Sequence, residues 1–204
     1  MFTPKAMAMQ EPEAIRQFIA DYGFGLLITA DLNTTRLPLL FQDDGDKGMI
    51  IGHMAKANPQ WQVADNQRVS AVFSGPHAYI SPTWYESRPV VATWNYASVQ
   101  CFGTFSSLNR DATRDAINAL MAHYEPSLLG NTELLPVDYM ERLLNAVVGF
   151  KIVINEIHAK EKLGQQKSKA DQCGVYQGLL NSQSPDAANL VRYMDNRGIG
   201  NGKT

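Results

Sequence analysis

The sequence predicts a mainly β chain with flanking helices (α+β), whose six or seven short strands form a closed or nearly closed antiparallel barrel with helices packed outside. Two observations carry this. Apolar runs of strand length recur at short intervals between Gly-punctuated polar loops, and three helical patterns interrupt them. At 204 residues the chain suits one domain with appendages. The expected division is a barrel domain over 1–160 and a C-terminal extension, partly helical or mobile, over 161–204.

The elements follow in order. Pro12 suits the first turn of a helix over Glu11 to Tyr22, where Ile15, Phe18 and Ile19 recur at helical spacing. Phe24 to Ala30, Leu37 to Phe41 and Met49 to Met54 read as an antiparallel meander, with a turn at Asp31 to Thr35 and a polar loop at Asp43 to Gly48. Asn58-Pro59 reads as a cap and first position of a short helix through Ala64. Val69 to Phe73 and Ala78 to Ser81 follow as strands joined at Gly75-Pro76, then a long strand over Ala97 to Phe105. Asn109 caps a helix to about Tyr124, Tyr139 to Ala146 reads as another, and Val147 to Ile157 closes the barrel. The polar remainder offers a loop over Asn181 to Asn189 leading into a short helix, and a mobile end over Gly198 to Thr204.

Composition removes several function classes. The net charge is −2 with no basic block, which argues against direct DNA binding. Cys101 and Cys173 form no CxxC pair, so neither a disulfide framework nor a zinc site is expected. Met1 to Gln10 lacks an apolar h-region and no run is long enough to span a bilayer, so the expected location is cytoplasmic. There is no GxGxxG, P-loop or GxSxG motif, and the four histidines lack metal-ligand spacing. No nucleophile has an evident base.

Three clusters depart from the core pattern. Gly52 to Trp61 takes a strand into a helix, where free N–H groups, Lys56 and His53 could face an anion; a plain capped helix is the alternative. Gly75 to Tyr85 and Thr93 to Tyr96 hold two of the three tryptophans and three of the eight tyrosines. Such surfaces suit a planar ligand, with Ser81, Thr93 and Asn95 at its edge, or a contact between subunits.

Those residues carry a resemblance. Gly52-His53-x-Ala55-x-Ala57-Asn58-Pro59-Gln60-Trp61, Gly75-Pro76-His77-Ala78-Tyr79-Ile80-Ser81-x-x-Trp84-Tyr85 and Thr93-Trp94-Asn95-Tyr96 resemble the signature of the PaiB family. So do Leu37-Pro38-Leu39 and Val148-Gly149-Phe150-x-Ile152, and the likeness runs from Met1 to about Lys167. That family is described as FMN-binding negative transcriptional regulators and resembles flavin-reductase-like split barrels. The resemblance implies a six-stranded split barrel, a homodimer, and FMN as cofactor in a groove between the subunits. It puts His53, Lys56, Asn58 and Trp61 at the phosphate end or its supporting turn. Ser81, Trp84, Trp94, Asn95 and Tyr96 fall where the ring system and partner chain meet. The resemblance implies that Lys162 and a serine two residues on help bind the phosphate; Gly164 stands where that serine is usual, which leaves Lys162 alone of the pair.

Three functions fit such a barrel. The first is a flavin-dependent oxidoreductase or flavin reductase using NAD(P)H, where the cofactor carries the chemistry and no acid or base is required of the chain. The second is an FMN-binding negative regulator acting without a recognisable DNA-binding motif. The third, a haem-binding barrel with His53 or His77 as axial ligand, has least in its favour.

Overall fold

The computed structural model describes residues 1–203. Its six strands are β1 (Phe24–Ile28), β2 (Thr34–Gln42), β3 (Met49–Ala55), β4 (Arg68–Ile80), β5 (Thr93–Ser107) and β6 (Val147–Lys162). They form a closed barrel in the order β1-β2-β3-β6-β5-β4, as the sequence predicts. The helices are α1 (Pro12–Asp21), α2 (Gln60–Ala64), α3 (Arg110–Tyr124), α4 (Val137–Leu144), α5 (Lys169–Leu180) and α6 (Pro185–Arg197). Among the described residues no helix is long and apolar enough to cross a membrane.

The chain divides into two compact units interleaved along the sequence. One comprises Arg16–Phe73 and Gln100–Ile157; the other comprises Met1–Ile15, Ser74–Val99 and the residues from His158 onward.

In the first unit β1, β2 and β3 form the expected meander, with Leu26 opposite Arg36 and Leu39 opposite Gly52. β3 then pairs antiparallel with β6, Gly52 opposite Phe150. Leu27, Leu39, Ile50, Phe73, Phe105, Phe150 and Ile152 fill the interior, the rings of Phe105 and Phe150 stacking at 4.8 Å. A side chain at Gly52 would put its Cβ 2.7 Å from Phe150 Cζ, so the glycine makes room for that ring. The β1–β2 turn is set by Asp31, which accepts from Thr29 Oγ1 at 2.6 Å and from Asn33 N–H at 3.3 Å. Asn109 caps α3 as predicted, its side chain accepting from Ala112 N–H at 2.9 Å.

β4 is one strand across Gly75-Pro76 rather than the two expected. β1 pairs with β4 only over Ser70–Val72, so the missing N–H of Pro76 falls where that ladder has already ended. β5 and β6 also start earlier or end later than their apolar alternation indicates, because polar positions continue the ladder. Trp94, Asn95 and Tyr96 therefore lie on β5, and Lys162 ends β6.

In the second unit α5 and α6 bury Val175, Tyr176, Leu179, Leu190, Tyr193 and Met194. α5 is absent from the sequence reading because Gly174 and Gly178 interrupt its pattern and weaken its propensity. Both glycines serve packing. A Cβ at Gly174 would lie 2.1 Å from Trp84 O, and one at Gly178 would lie 2.2 Å from Trp84 Cδ2. Buried Glu161 on β6 accepts from Tyr193 Oη at 2.6 Å and from Arg197 at 2.7 and 3.0 Å, tying α6 to the strand. The segment after α6, expected to be mobile, is held by Asn201 Nδ2 and Lys203 Nζ donating to Asp195 Oδ1 at 3.3 and 2.8 Å; Thr204 lies outside the described residues.

Candidate cofactor site

The first unit contributes the turn between β3 and α2. His53 lies on β3 with its Nδ1 buried and without a hydrogen-bond partner. Burial pushes its pKa below the ordinary histidine range, which leaves a neutral imidazole near pH 7. Lys56 binds Ala146 O through its backbone N–H at 2.8 Å, while its exposed ammonium has no hydrogen-bond or ion-pair partner among the described residues. Asn58 is spent on the turn: Nδ2 donates to Thr35 Oγ1 at 3.0 Å and Oδ1 accepts from Gln60 N–H at 3.0 Å. Trp61 Nε1 donates to Lys56 O at 3.1 Å. The expected helix N-terminus is thus a five-residue turn whose start carries Pro59 and an already satisfied Gln60 N–H. His53 Nδ1, buried, and the Lys56 ammonium, exposed, are left without a hydrogen-bond partner at this turn among the described residues.

The second unit collects the aromatic strings. Ser81 caps the short 3₁₀ turn Pro82–Trp84, accepting from Thr83 N–H at 3.2 Å. Trp84 lays one face of its indole on Gly178 of α5. Those two residues shape the loop. The following residues are fixed by Asp171 on α5, whose carboxylate accepts from Glu86 N–H at 3.0 Å and from Ser87 N–H at 2.9 Å.

Strand alternation then separates the remaining candidates. Asn95 points inward, 2% exposed, with its Nδ2 unpartnered. It lines a narrow cavity with Tyr85, Leu163, Gly164 and Gly200. Trp94 and Tyr96 point outward. Trp94 is 52% exposed, with the His77 ring 5.9 Å and the Tyr79 ring 6.2 Å away, centre to centre. Lys162 Nζ donates to Thr93 Oγ1 and to Trp94 O, the latter at 2.7 Å. Lys160, which the sequence reading missed, lies on the same face of β6 with Nζ 5.3 Å from the centre of the Tyr96 ring. Its signal was present in the alternation His158-x-Lys160-x-Lys162.

The structure therefore brings Trp94, Tyr96 and Lys162 to one outward aromatic and cationic face, joined by His77, Tyr79 and Lys160. It puts Asn95 on the opposite face of β5, and His53, Lys56, Asn58 and Trp61 on the turn of the other unit. The outward aromatic and cationic face of the second unit fits FMN, which has a planar ring and a dianionic phosphate. The buried polar side-chain atoms left without a partner among the described residues are His53 Nδ1 and Asn95 Nδ2, both inside the signature strings.

Comparison with known proteins agrees with the fold and the cofactor. A family described as "Putative FMN-binding domain" matches residues 1–156. Protease synthase and sporulation protein PAI 2 of Bacillus subtilis is 34% identical over 97% of this chain and 98% of its own length. Among solved structures, the flavocytochrome Anf3 from Azotobacter vinelandii superposes with a TM-score of 0.58 at 16% identity, over 76% of this chain and 69% of that one. The FAD and heme binding protein from Mycobacterium smegmatis does so with a TM-score of 0.56 at 17% identity, over 74% and 71%. These two share the barrel. The chain belongs to the PaiB-like family of FMN-binding domains, and FMN is its cofactor.

Proposed function

We propose that the protein is a flavin-dependent oxidoreductase that takes electrons from NAD(P)H, working as a homodimer with FMN between the subunits. The observation that supports this is the outward face of His77, Tyr79, Trp94 and Tyr96 beside two lysines, an aromatic surface next to cationic groups. When bound, FMN supplies the hydride and electron chemistry. The chain's task is then to bind and orient. Trp94 offers a ring for stacking, and His53 offers an unpaired polar atom. Lys56 and Lys162 offer cations, while Asn58, Trp61, Ser81 and Trp84 hold the segments that carry them. The half-exposed aromatic side chains also suit a subunit contact, so cofactor and dimer would share one surface.

A second reading has its own support. The 34% identical relative is named for protease synthesis and sporulation, which suits a regulatory role for the bound flavin. An anaerobic titration separates the two. FMN-loaded protein should bleach on NADPH or NADH addition at a rate matching turnover, and light scattering should give the mass of two chains. Flavin that stays oxidised with either donor overturns the reductase and favours the regulator.

A further inference from the structure

Away from the aromatic strings, the first unit holds a pocket of about 210 Å³ between α3, α4 and the segment that joins them. Ile117 and Met121 line it from α3, Leu128 and Leu135 from the joining segment, and Met140 and Leu144 from α4. A spacing of four residues puts each helical pair on one face. These side chains border an opening instead of packing together. Leu144 alone of α4 is buried, while Ile117, Met121, Leu128, Leu135 and Met140 stay partly exposed. An amphipathic helix ordinarily buries its apolar stripe against the core; here the stripe faces the pocket. The walls are held in place. Arg114 Nη2 donates to Glu141 Oε1 at 2.9 Å and Arg110 Nη2 to Glu141 Oε2 at 2.6 Å, which clamps α4 to α3. In the joining segment the N–H groups of Leu128, Leu129, Asn131 and Leu135 all donate to carbonyls between Glu125 and Asn131. That segment supports itself and fixes Leu128 and Leu135 opposite the helices.

We propose that this pocket is a binding site for an uncharged compound of one aromatic ring carrying a small polar substituent. Size sets the first limit. An apolar cavity of about 150 Å³ takes benzene, so this one takes a ring with a few more atoms. Charge sets the second. Glu141 is shared by Arg110 and Arg114, and Arg114 also donates to Asp111 Oδ1 at 2.8 Å. With those charges spent on one another, an ionised ligand would enter an apolar space without a counter-charge. The methionines set the third. Thioethers from two helices adapt to a ligand's outline and make favourable contacts with aromatic rings. Asn118 and Asn131 supply the polar lining; Asn131 Oδ1 accepts from Leu134 N–H at 3.1 Å, and its Nδ2 has no hydrogen-bond partner among the described residues. The site stands apart from the FMN-binding reading, since none of its residues belongs to the strings that carry that resemblance.

The test uses the full chain in excess FMN, labelled with ¹³C at the methionine methyl groups. The volume-conserving variants Met121→Leu and Met140→Leu assign the two signals. Titration with p-cresol should shift both and leave the other methionine signals in place, with a dissociation constant below about 1 mM. 4-Methylcyclohexanol, of the same size without the aromatic ring, should bind about fivefold more weakly. The ionised 4-methylbenzoate should bind at least about tenfold more weakly. Leu135→Phe fills the pocket and should abolish the shifts with the melting temperature kept or raised; if circular dichroism shows that it does not fold, Ile117→Phe takes its place. Unmoved methionine signals in the wild type, or shifts that survive in the filled variant, overturn the site. Equal binding of the cyclohexanol or of the carboxylate overturns the ligand class. If the signals stay unmoved and filling the pocket changes the mass found by light scattering, the occupant is a second copy of the chain and the ligand is overturned.

Discussion

The carboxylate of Asp171 accepts both the backbone N–H and the hydroxyl of Ser87, at 2.9 and 2.8 Å. It also takes Glu86 N–H, so one residue of α5 satisfies the backbone that follows the Trp84–Tyr85 segment. Asp171 is 3% exposed, and hydrogen bonds from Ser87 hold its pKa below the ordinary carboxylate value. Asp171→Ala leaves those donors unsatisfied and should lower the melting temperature by about 5 °C at pH 7. The sign with pH follows from the depressed value. The stabilisation is complete above the ordinary aspartate range and is lost as pH falls through the folded-state pKa. The gap between wild type and variant should therefore narrow on acidification; thermal melts at pH 7 and below pH 4 check it, and a constant gap overturns the assignment.

Much of the barrel was legible because burial is periodic. Leu37 and Leu39, and Phe150 and Ile152, alternate with outward positions, and Asn109 announces α3 through its cap. The site was legible only as strings of residues. Asn58 and Asn95 look equally plausible in sequence, yet one is consumed by Thr35 and Gln60 while the other faces inward unpaired. Which polar atom a fold leaves over depends on contacts between distant residues, and local pattern carries none of that. Lys160 was passed over for the same reason, since its lack of a carboxylate partner is visible only once Glu161 is seen to turn toward α6. The helix α5 was hidden by its glycines, whose purpose appears only with Trp84 packed on them.

That packing gives a second prediction. Gly178→Ala would bring a methyl group within 2.2 Å of Trp84 Cδ2, and the indole must shift. Overpacking of this kind costs about 1–3 kcal/mol, and chemical denaturation should show it. Combining it with Trp84→Leu should recover part of the loss, because the two residues meet directly. Additive losses in the double variant would mean that the indole does not rest on the glycine.

His53 separates a binding role from a structural one. Its buried Nδ1 has no partner, which costs stability in the cofactor-free protein. His53→Phe removes that atom and should leave the cofactor-free protein as stable as the wild type or more so, while weakening FMN by about tenfold. Since burial lowers its pKa, cofactor-free wild type should lose stability as pH falls from the ordinary histidine value of 6.5 toward the lower folded value. The variant should lack that slope. Raised stability with undiminished FMN affinity would reduce His53 to an imperfectly satisfied core residue.

Trp94 is the ring most open to a planar ligand. Its indole is half-exposed, and its nearest rings, His77 and Tyr79, meet it tilted at 36° and edge-on at 76°, so neither stacks flat on it. Stacking of an aromatic ligand is worth about 0.5–1.5 kcal/mol beyond burial, so Trp94→Ala should weaken FMN by roughly tenfold and Trp94→Phe by much less. Riboflavin should suffer the same loss as FMN, because the ring and not the phosphate is the partner. Fluorescence titration gives both constants, and light scattering on the same samples reports the oligomeric state. Dissociation of a dimer with FMN affinity retained per chain would assign Trp94 to the subunit contact alone, and intact affinity in an intact assembly would remove it from the site.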